Sequence, residues 1–348
     1  MSEQPLTLVQ LGWRPFFQQQ LTLDEYETVK IGRVAEHHRS QLKVASDEGS
    51  FDVAITAQEK GVCVGDWILF NDDFQLVRVL ERQSLFQRKA AGTKVDIQLI
   101  AANIDLALLV SSLNQDFNLS RIERYLVMAR EAGVEALIVL TKADLTDDAS
   151  EKLQQVQELD NGLHILSVNG LDANQVEAIS QYYKQGDTLV LLGSSGVGKS
   201  TLVNTLMGET VMETTAIRED DSKGRHTTTH RSLKVLPSGA LILDTPGMRE
   251  LQLAAAEQGV NETFQEIVEL ANNCRFSDCS HTSEPGCAIQ LALADGSLDQ
   301  RRYQSYQKLL KEQAFNSASL AQKRAKDKAF GKMVNSIQNE SRNRKRGN

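Results

Sequence analysis

The residues with the clearest chemistry are the glycines of "GSSGVGKS", at positions 193–200. The apolar run "TLVLL" precedes them and the helical run "TLVNTL" follows, so a strand enters the loop and a helix leaves it. Glycines at such a turn let successive N–H groups point inward, and the helix N-terminus adds donors for an anion. The stretch therefore predicts a nucleotide phosphate-binding loop. We expect contacts from the whole loop: Gly193, Ser194, Ser195, Gly196, Val197, Gly198, Lys199, Ser200 and Thr201.

A second motif, "TKAD" at Thr141–Asp144, predicts which base is bound. A carboxylate at Asp144 accepts hydrogen bonds from both N1–H and the 2-amino group of guanine, and adenine offers no such pair of donors. The stem of Lys142 covers the base, with Thr141 and Ala143 completing the motif, and the loop at Ser167 closes over it. A chance polar run after a strand is the alternative. An ATP-using enzyme is opposed by Asp144.

Two further stretches predict the Mg²⁺ and γ-phosphate contacts. In "ALILDTPGM", Asp244 follows a strand and holds Mg²⁺ through water, while the Gly247 N–H meets the γ-phosphate. In "DSKGRHTTTH" we favour Thr228 as a Mg²⁺ ligand beside Ser200. These are the parts of a Ras-like GTPase in rotated order, since guanine reading precedes the phosphate loop. Rotation preserves a fold when the termini of the domain lie close together.

The position after D-x-x-G indicates how the γ-phosphate is hydrolysed. Met248 stands where many Ras-like enzymes carry a glutamine that orients water, so intrinsic hydrolysis is expected to be slow. His226 is the candidate to position the water. A solvated loop histidine, or His230 in the same role, are the alternatives. The predicted catalytic residues are His226, Lys199 and Thr228.

Three of the four cysteines lie with a histidine in "CRFSDCSHTSEPGC". The spacing Cys274-x4-Cys279-x-His281-x5-Cys287 supplies three thiolates and one imidazole, a closed tetrahedral set typical of one structural zinc ion. Reduced cysteines in a loop are the alternative. Cys63 stands alone in an apolar run and is expected to be a buried small hydrophobe.

The surrounding patterns predict three kinds of region. Five short β-type runs separated by turn residues lie between Lys30 and Leu99 and indicate a small barrel. From Ala101 strands alternate with helices, which is typical of α/β proteins. We expect a helix capped by Ser120 and stopped at Gly133. Other helices are expected near 148–159, 172–184, 261–272 and 298–330, and "SLKVL" with "ALILD" as a hairpin.

Together these stretches resemble the circularly permuted RsgA GTPases of bacterial ribosome assembly. The matching segments include "GDWILF", "DFNLSRIERYL", "TKADL", "GRHTTTH" and "DTPGMREL". The resemblance implies an all-β oligonucleotide-binding (OB) fold barrel, a central α/β P-loop GTPase domain and a helical zinc module. It also implies slow GTP hydrolysis stimulated by the 30S subunit, with other assembly factors as further partners. The expected segments are an N-terminal extension (1–30), the barrel that binds 16S rRNA (31–100), the GTPase domain (101–253), the zinc module (254–320) and a basic tail (321–348).

Charge and hydropathy limit the remaining classes. The net charge is −8, the last 28 residues carry +7, and the rest of the chain therefore carries −15. Such a tail is expected to meet a polyanion or to be a solvated terminus. No apolar run reaches the length of a membrane span, so we expect a cytoplasmic monomer. An rRNA-binding scaffold that uses GTP as a regulatory ligand is the rival to a GTP hydrolase, and an assay of GTP turnover separates them.

Overall fold

The computed structural model describes residues 5–38, 40–56, 61–89, 97–210, 232–244 and 256–317. No helix within these ranges is both long enough and apolar enough to cross a membrane.

The N-terminal segment contains more structure than its sequence pattern suggested. Two short helices, α1 (Pro15–Gln18) and α2 (Leu23–Thr28), precede the first strand. A capping box begins α2, in which Thr22 and Glu25 satisfy each other's backbone N–H groups. The segment buries its apolar side chains against Trp67, which is fully buried. Trp67 is therefore a core residue, with no exposed face on which an external base could stack.

The next strands pair into a cycle. They are β1 (Lys30–His37), β2 (Gln41–Ser46), β3 (Gly49–Ala54), β4 (Trp67–Phe70) and β5 (Leu76–Val79). The antiparallel pairs are β1–β2, β2–β3, β1–β4 and β4–β5. A parallel bridge between Ala54 and Gln75 joins the ends of β3 and β5, so the order is β1-β2-β3-β5-β4-β1. Apolar side chains fill the cycle, and Cys63 is buried as expected.

A separate hairpin, β6 (Leu85–Lys89) with β7 (Ile97–Ala102), follows these strands. The sequence patterns did not identify it, because each strand is too short to establish an alternating period. The prediction of five strands up to Leu99 therefore missed two.

The central region alternates strands and helices as predicted. Its elements are β8 (Leu106–Ser112), α3 (Leu119–Glu131), β9 (Glu135–Thr141), α4 (Ala149–Gln157), β10 (His164–Val168), α5 (Ala173–Glu177), β11 (Thr188–Leu192), α6 (Lys199–Met207), β12 (Ser232–Val235) and β13 (Leu241–Asp244). The strands lie in the order β10-β9-β8-β11-β13-β12. All neighbours are parallel except the predicted hairpin β12–β13. The carboxyl ends of β8 to β11 and β13 therefore meet at one edge of the sheet.

Three predicted helix boundaries were wrong. The cap of α3 is Asn118, whose side chain accepts from the Arg121 N–H, instead of Ser120. The helix expected over 172–184 is α5 followed by a 3-10 turn at Ala178–Tyr182. The helix expected over 261–272 is two helices that meet at Phe264, a residue fully buried in the core.

The strands β1 to β5 and the central sheet belong to one continuous sheet. Glu36 of β1 lies opposite Ser232 of β12, and Ser232 lies opposite Asp244 of β13. Adjacent strands are about 4.8 Å apart, so the row from Glu36 to Asp244 spans roughly 10 Å. The predicted Mg²⁺ residue Asp244 and the end of β1 therefore share one edge of the molecule.

Arg33 joins three segments at this junction. Its side chain is buried, and its guanidinium donates to the carbonyls of Leu11 (2.6 Å), Asn103 (2.8 Å) and Gly65 (3.3 Å). Burial lowers the pKa of Arg33 to about 10. All three acceptors are backbone carbonyls, so no carboxylate pairs with the Arg33 guanidinium in these bonds. The three hydrogen bonds form only if the backbones at Leu11, Gly65 and Asn103 keep their relative positions. Beside it, Arg14 pairs with Asp105 and Asp187 of the central region.

Four helices complete the described chain: α7 (Glu257–Thr263), α8 (Gln265–Asn272), α9 (Ala288–Asp295) and α10 (Gln300–Ser317). A buried ion network attaches them to α3. Glu123 of α3 has no exposed surface and accepts from both Arg301 and Arg302 of α10, each at 3.0 Å. Loss of Glu123 would leave the buried Arg302 without this carboxylate, so the network is expected to stabilise the attachment of α10 to α3.

Candidate nucleotide site and metal cluster

The phosphate loop connects β11 to α6, as the sequence predicted. Gly198 caps α6 with φ +97°, and at Gly193 a Cβ would lie 2.4 Å from the carbonyl oxygen of Val110. A positive φ at Gly198 and the lack of room for a Cβ at Gly193 both require glycine. Lys199 begins the helix, and its Nζ donates to the carbonyls of Gly193 (2.7 Å) and Ser194. The ammonium group thus lies across the loop that would receive phosphate oxygens.

The guanine motif is bonded directly to this loop. Thr141 ends β9, is 1% exposed, and donates its hydroxyl to the carbonyl of Val197 at 2.5 Å. Lys142, with φ +60°, donates from Nζ to the carbonyl of Gly196 at 2.8 Å. Asp144 is exposed in the 3-10 turn that follows. The structure therefore brings the predicted base and phosphate contacts together and leaves the Asp144 carboxylate open to a ligand.

The second guanine segment lies next to the first. Val168 of β10 pairs with Thr141, and Ser167 pairs with Leu140. The loop after β10 is braced internally, because the Asn169 side chain accepts from the Leu171 N–H at 3.0 Å. Sequence reasoning identified Ser167 but missed the contact that ties this loop to α6, where Thr205 donates to the carbonyl of Gly170 at 2.7 Å. No local pattern signals that contact, which spans 35 positions.

Asp244 ends β13 beside the phosphate-loop strand. Leu243 pairs with Val190 of β11, so Asp244 lies at the edge from which the phosphate loop leaves. The remaining predicted residues, His226, Thr228, Gly247 and Met248, lie outside the described residues. Their roles stay predictions, as does that of the basic tail.

The four predicted zinc ligands form one cluster, in which the ligand atoms all lie within 4.8 Å of one another. The Cys274 and Cys287 sulfurs are 3.8 Å apart, and each is 3.5 Å from Nδ1 of His281. Tetrahedral zinc, with bonds of ~2.3 Å to sulfur and ~2.0 Å to nitrogen, requires edges of about 3.8 Å and 3.5 Å. The donor set therefore fits zinc in both chemistry and dimensions.

Neighbouring groups hold the cluster and affect its thiols. The side-chain amide of Gln290 donates to the carbonyl of His281 at 2.6 Å, which holds that residue at φ +58°. Burial opposes ionisation of Cys274, yet its pKa is lowered because the N–H groups of Ala288 and Ile289 donate to the sulfur. Burial raises the pKa of Cys279 to about 11, and hydrogen bonds with the other thiols act in the same direction. If all three cysteines were ionised, a cation among them would be needed to offset their charges.

The chain matches a known protein family. The family model described as RsgA GTPase matches residues 79–254, from β5 through the D-x-x-G segment. The chain belongs to the RsgA GTPase family. A relative from Vibrio parahaemolyticus, "Small ribosomal subunit biogenesis GTPase RsgA 2", is 54% identical over 97% of this chain and 94% of its own. The chain is thus a GTPase, and the resemblance noted from its motifs is confirmed.

Two solved structures share the fold of this RsgA-family chain. YjeQ from Thermotoga maritima has a TM-score of 0.60 and 24% identity, covering 82% of this chain and 99% of its own. YloQ, described as a circularly permuted GTPase, has a TM-score of 0.60 and 23% identity, covering 86% and 99%. The rotated motif order is therefore that of a circularly permuted GTPase fold.

Proposed function

We propose that this chain hydrolyses GTP to GDP and phosphate in response to the small ribosomal subunit, during late maturation of that subunit. The observation that carries the proposal is the bonded pair of loops, in which Thr141 and Lys142 of the guanine motif donate to Val197 and Gly196 of the phosphate loop. An exposed Asp144 beside a phosphate loop suits GTP. The relatives' printed name supplies the ribosomal assignment.

In the proposed chemistry, Ser200, Thr228 and Asp244 hold Mg²⁺, which neutralises charge on the β- and γ-phosphates when bound. Lys199 contacts the same phosphates. His226 orients the attacking water in place of the glutamine that Met248 replaces. Gly247 donates its backbone N–H to the γ-phosphate, and Ser167 and its loop close over guanine. Slow turnover without the ribosome follows, because Met248 cannot hydrogen-bond to the attacking water as a glutamine would.

We also propose that β1 to β5 form an OB-fold barrel that binds 16S rRNA. The cyclic order β1-β2-β3-β5-β4-β1 supports this, since OB folds are five-stranded Greek-key barrels. The tail at 321–348 adds basic charge for the same polyanion. Other assembly factors are further proposed partners, and we expect a cytoplasmic monomer. The segment boundaries 1–30, 31–100, 101–253, 254–320 and 321–348 remain part of this proposal.

The zinc ion is proposed to be structural. Its four protein ligands leave no open coordination position, so it supplies no catalytic chemistry. Its role is to order the loop between α8 and α9, where 14 residues contain the whole ligand set.

The decisive experiment measures GTP turnover by the purified chain alone and with saturating 30S subunits, with ATP and 50S subunits as controls. We expect strong stimulation only by the combination of GTP and 30S. Tight GTP binding without stimulation would instead support a GTP-regulated rRNA-binding scaffold. Equal turnover of ATP would contradict the assignment of Asp144.

A further inference from the structure

We propose that Thr205 is a positioning residue for guanine recognition, because it holds the loop after β10 against the phosphate-loop helix. The inference deepens the proposed function and rests on it. It concerns a residue outside the guanine motif and outside the phosphate loop.

The contact is a single hydroxyl with two acceptors. Thr205 Oγ1 lies 2.7 Å from the carbonyl oxygen of Gly170 and 3.0 Å from that of Thr201, one turn earlier in α6. A hydroxyl carries one proton, so it donates either to the loop or to its own helix. The shorter distance is to the loop. Thr205 therefore exchanges a bond within α6 for one that spans 35 residues.

Packing beneath the hydroxyl sets its distance from the loop. Val176 of α5 and Leu202 of α6 are both buried in one apolar cluster with Val168. A Cβ on Gly170 would touch the Thr201 methyl group at 3.8 Å, so loop and helix are in close contact. The apolar core sets the distance between α6 and the loop after β10. The hydrogen bond from the Thr205 hydroxyl then sets where the Gly170 carbonyl lies along α6.

The position of the loop matters for the base more than for the phosphates. The loop follows Val168, which pairs with Thr141 of the guanine motif, whereas the phosphate loop is already held by its bonds to Thr141 and Lys142. Releasing the Gly170 carbonyl thus frees the base-closing loop and leaves the phosphate loop tethered. Loss of Thr205 is expected to weaken binding of guanine nucleotides selectively.

The test measures dissociation constants for GDP and ADP with the full chain. Thr205→Val removes the hydroxyl at nearly constant shape, and we expect the GDP constant to rise about five-fold, which corresponds to one hydrogen bond of about 1 kcal/mol. The ADP constant, which depends on the phosphate loop, is expected to stay unchanged. Thr205→Ser is expected to restore GDP binding.

Two controls separate this role from a general effect on folding. Thr28→Val removes an equivalent bond within a helix, from Oγ1 to the Asp24 carbonyl at 2.7 Å, in a region remote in sequence from the guanine segments. It is expected to leave both constants unchanged. Thr205→Ala provides a second variant that keeps high helix propensity if the valine variant does not fold.

Each outcome decides the proposal. Parallel rises in the GDP and ADP constants would assign Thr205 to general support of α6 and overturn it, as would no change in either constant. A wild-type chain that binds GDP no better than ADP would overturn the proposed function itself. Wild-type preference for GDP with an unaffected Thr205→Val variant would overturn this inference alone.

Discussion

The zinc cluster and the nucleotide site are assembled in opposite ways. All four ligands of the cluster come from residues 274–287, one short loop with its ends on α8 and α9. The described and predicted nucleotide contacts come from residues 141 to 247, and the described ones follow strands that lie side by side only in the folded sheet. The first site is contained in one loop, and the second exists only where the sheet brings separate segments together.

This difference has an electrostatic origin. The cluster brings together thiols whose ionisation burial opposes, so their thiolate forms would be stabilised only by a bound cation. The nucleotide loops instead satisfy one another, since Thr141, Lys142 and Lys199 all donate to loop carbonyls. Removing the metal should therefore disorder its loop, whereas removing the nucleotide should leave the cradle formed.

The largest expected effect tests the metal side of the comparison. Cys287→Ser removes one thiolate, and zinc content is expected to fall from about one ion per chain to near zero. Structural zinc contributes on the order of 10 kcal/mol in small modules, so amide exchange in 274–290 should rise steeply. Metal analysis and hydrogen exchange measure both effects.

GDP binding by the Cys287→Ser chain should persist, because the nucleotide loops take no ligand from the cluster. Cys63→Ala is the matched control, since Cys63 is buried away from the cluster and should not affect the metal. Full zinc content in the serine variant would contradict the four-ligand assignment.

The second prediction tests base reading. Asp144→Asn removes the charge that accepts from two guanine donors, each contact contributing about 1.5–3 kcal/mol. GDP affinity is expected to fall by about 10²–10⁴-fold, and the affinity for xanthosine diphosphate is expected to rise. Equilibrium titration measures both, and Asp147→Asn, an exposed neighbour outside the motif, is the control. An unchanged preference for guanine would exclude Asp144 as its reader.

The third prediction concerns the water-positioning role. His226→Ala is expected to lower 30S-stimulated turnover by about 10²-fold while leaving GTP affinity intact, since general-base or orienting groups contribute at least that much. His230→Ala is the comparison, measured under single-turnover conditions. A fully active His226→Ala chain, with a slow His230→Ala chain, would transfer the role to His230.

The smallest effect probes the link between the two nucleotide loops. Thr141→Val leaves the Val197 carbonyl without its side-chain donor in a buried position, and GDP and ADP affinities are both expected to fall about tenfold. Thr141→Ser should restore both. If only GDP binding weakened, Thr141 would contribute to guanine binding but not to phosphate binding. The Lys142–Gly196 bond would then be the one that holds the guanine motif to the phosphate loop.

The difference between the cluster and the nucleotide site also shows which features can be predicted from the sequence. The phosphate loop, the guanine motif and the cluster ligands could be proposed from the sequence because each is a contiguous motif whose chemistry depends on local spacing. The structure bonds the two loops together and gathers the four cluster residues, and their ligands remain predictions. Thr141 was expected only to complete the guanine motif, and the structure gives its hydroxyl a definite partner in the Val197 carbonyl. The strands β1 to β5 were located, but β6 and β7 were not.

The sequence alone determined which chemical groups are available: a glycine loop predicted to hold phosphate, a carboxylate predicted to read guanine, and three cysteines and a histidine with the spacing of a metal site. Only the tertiary structure decided which of the described groups meet. The contacts Thr141–Val197, Thr205–Gly170 and Arg33–Asn103 join residues 56, 35 and 70 positions apart. Such contacts arise from strand register and helix packing, which no local pattern encodes, because a hydroxyl or guanidinium has the same sequence signature whatever carbonyl it finds.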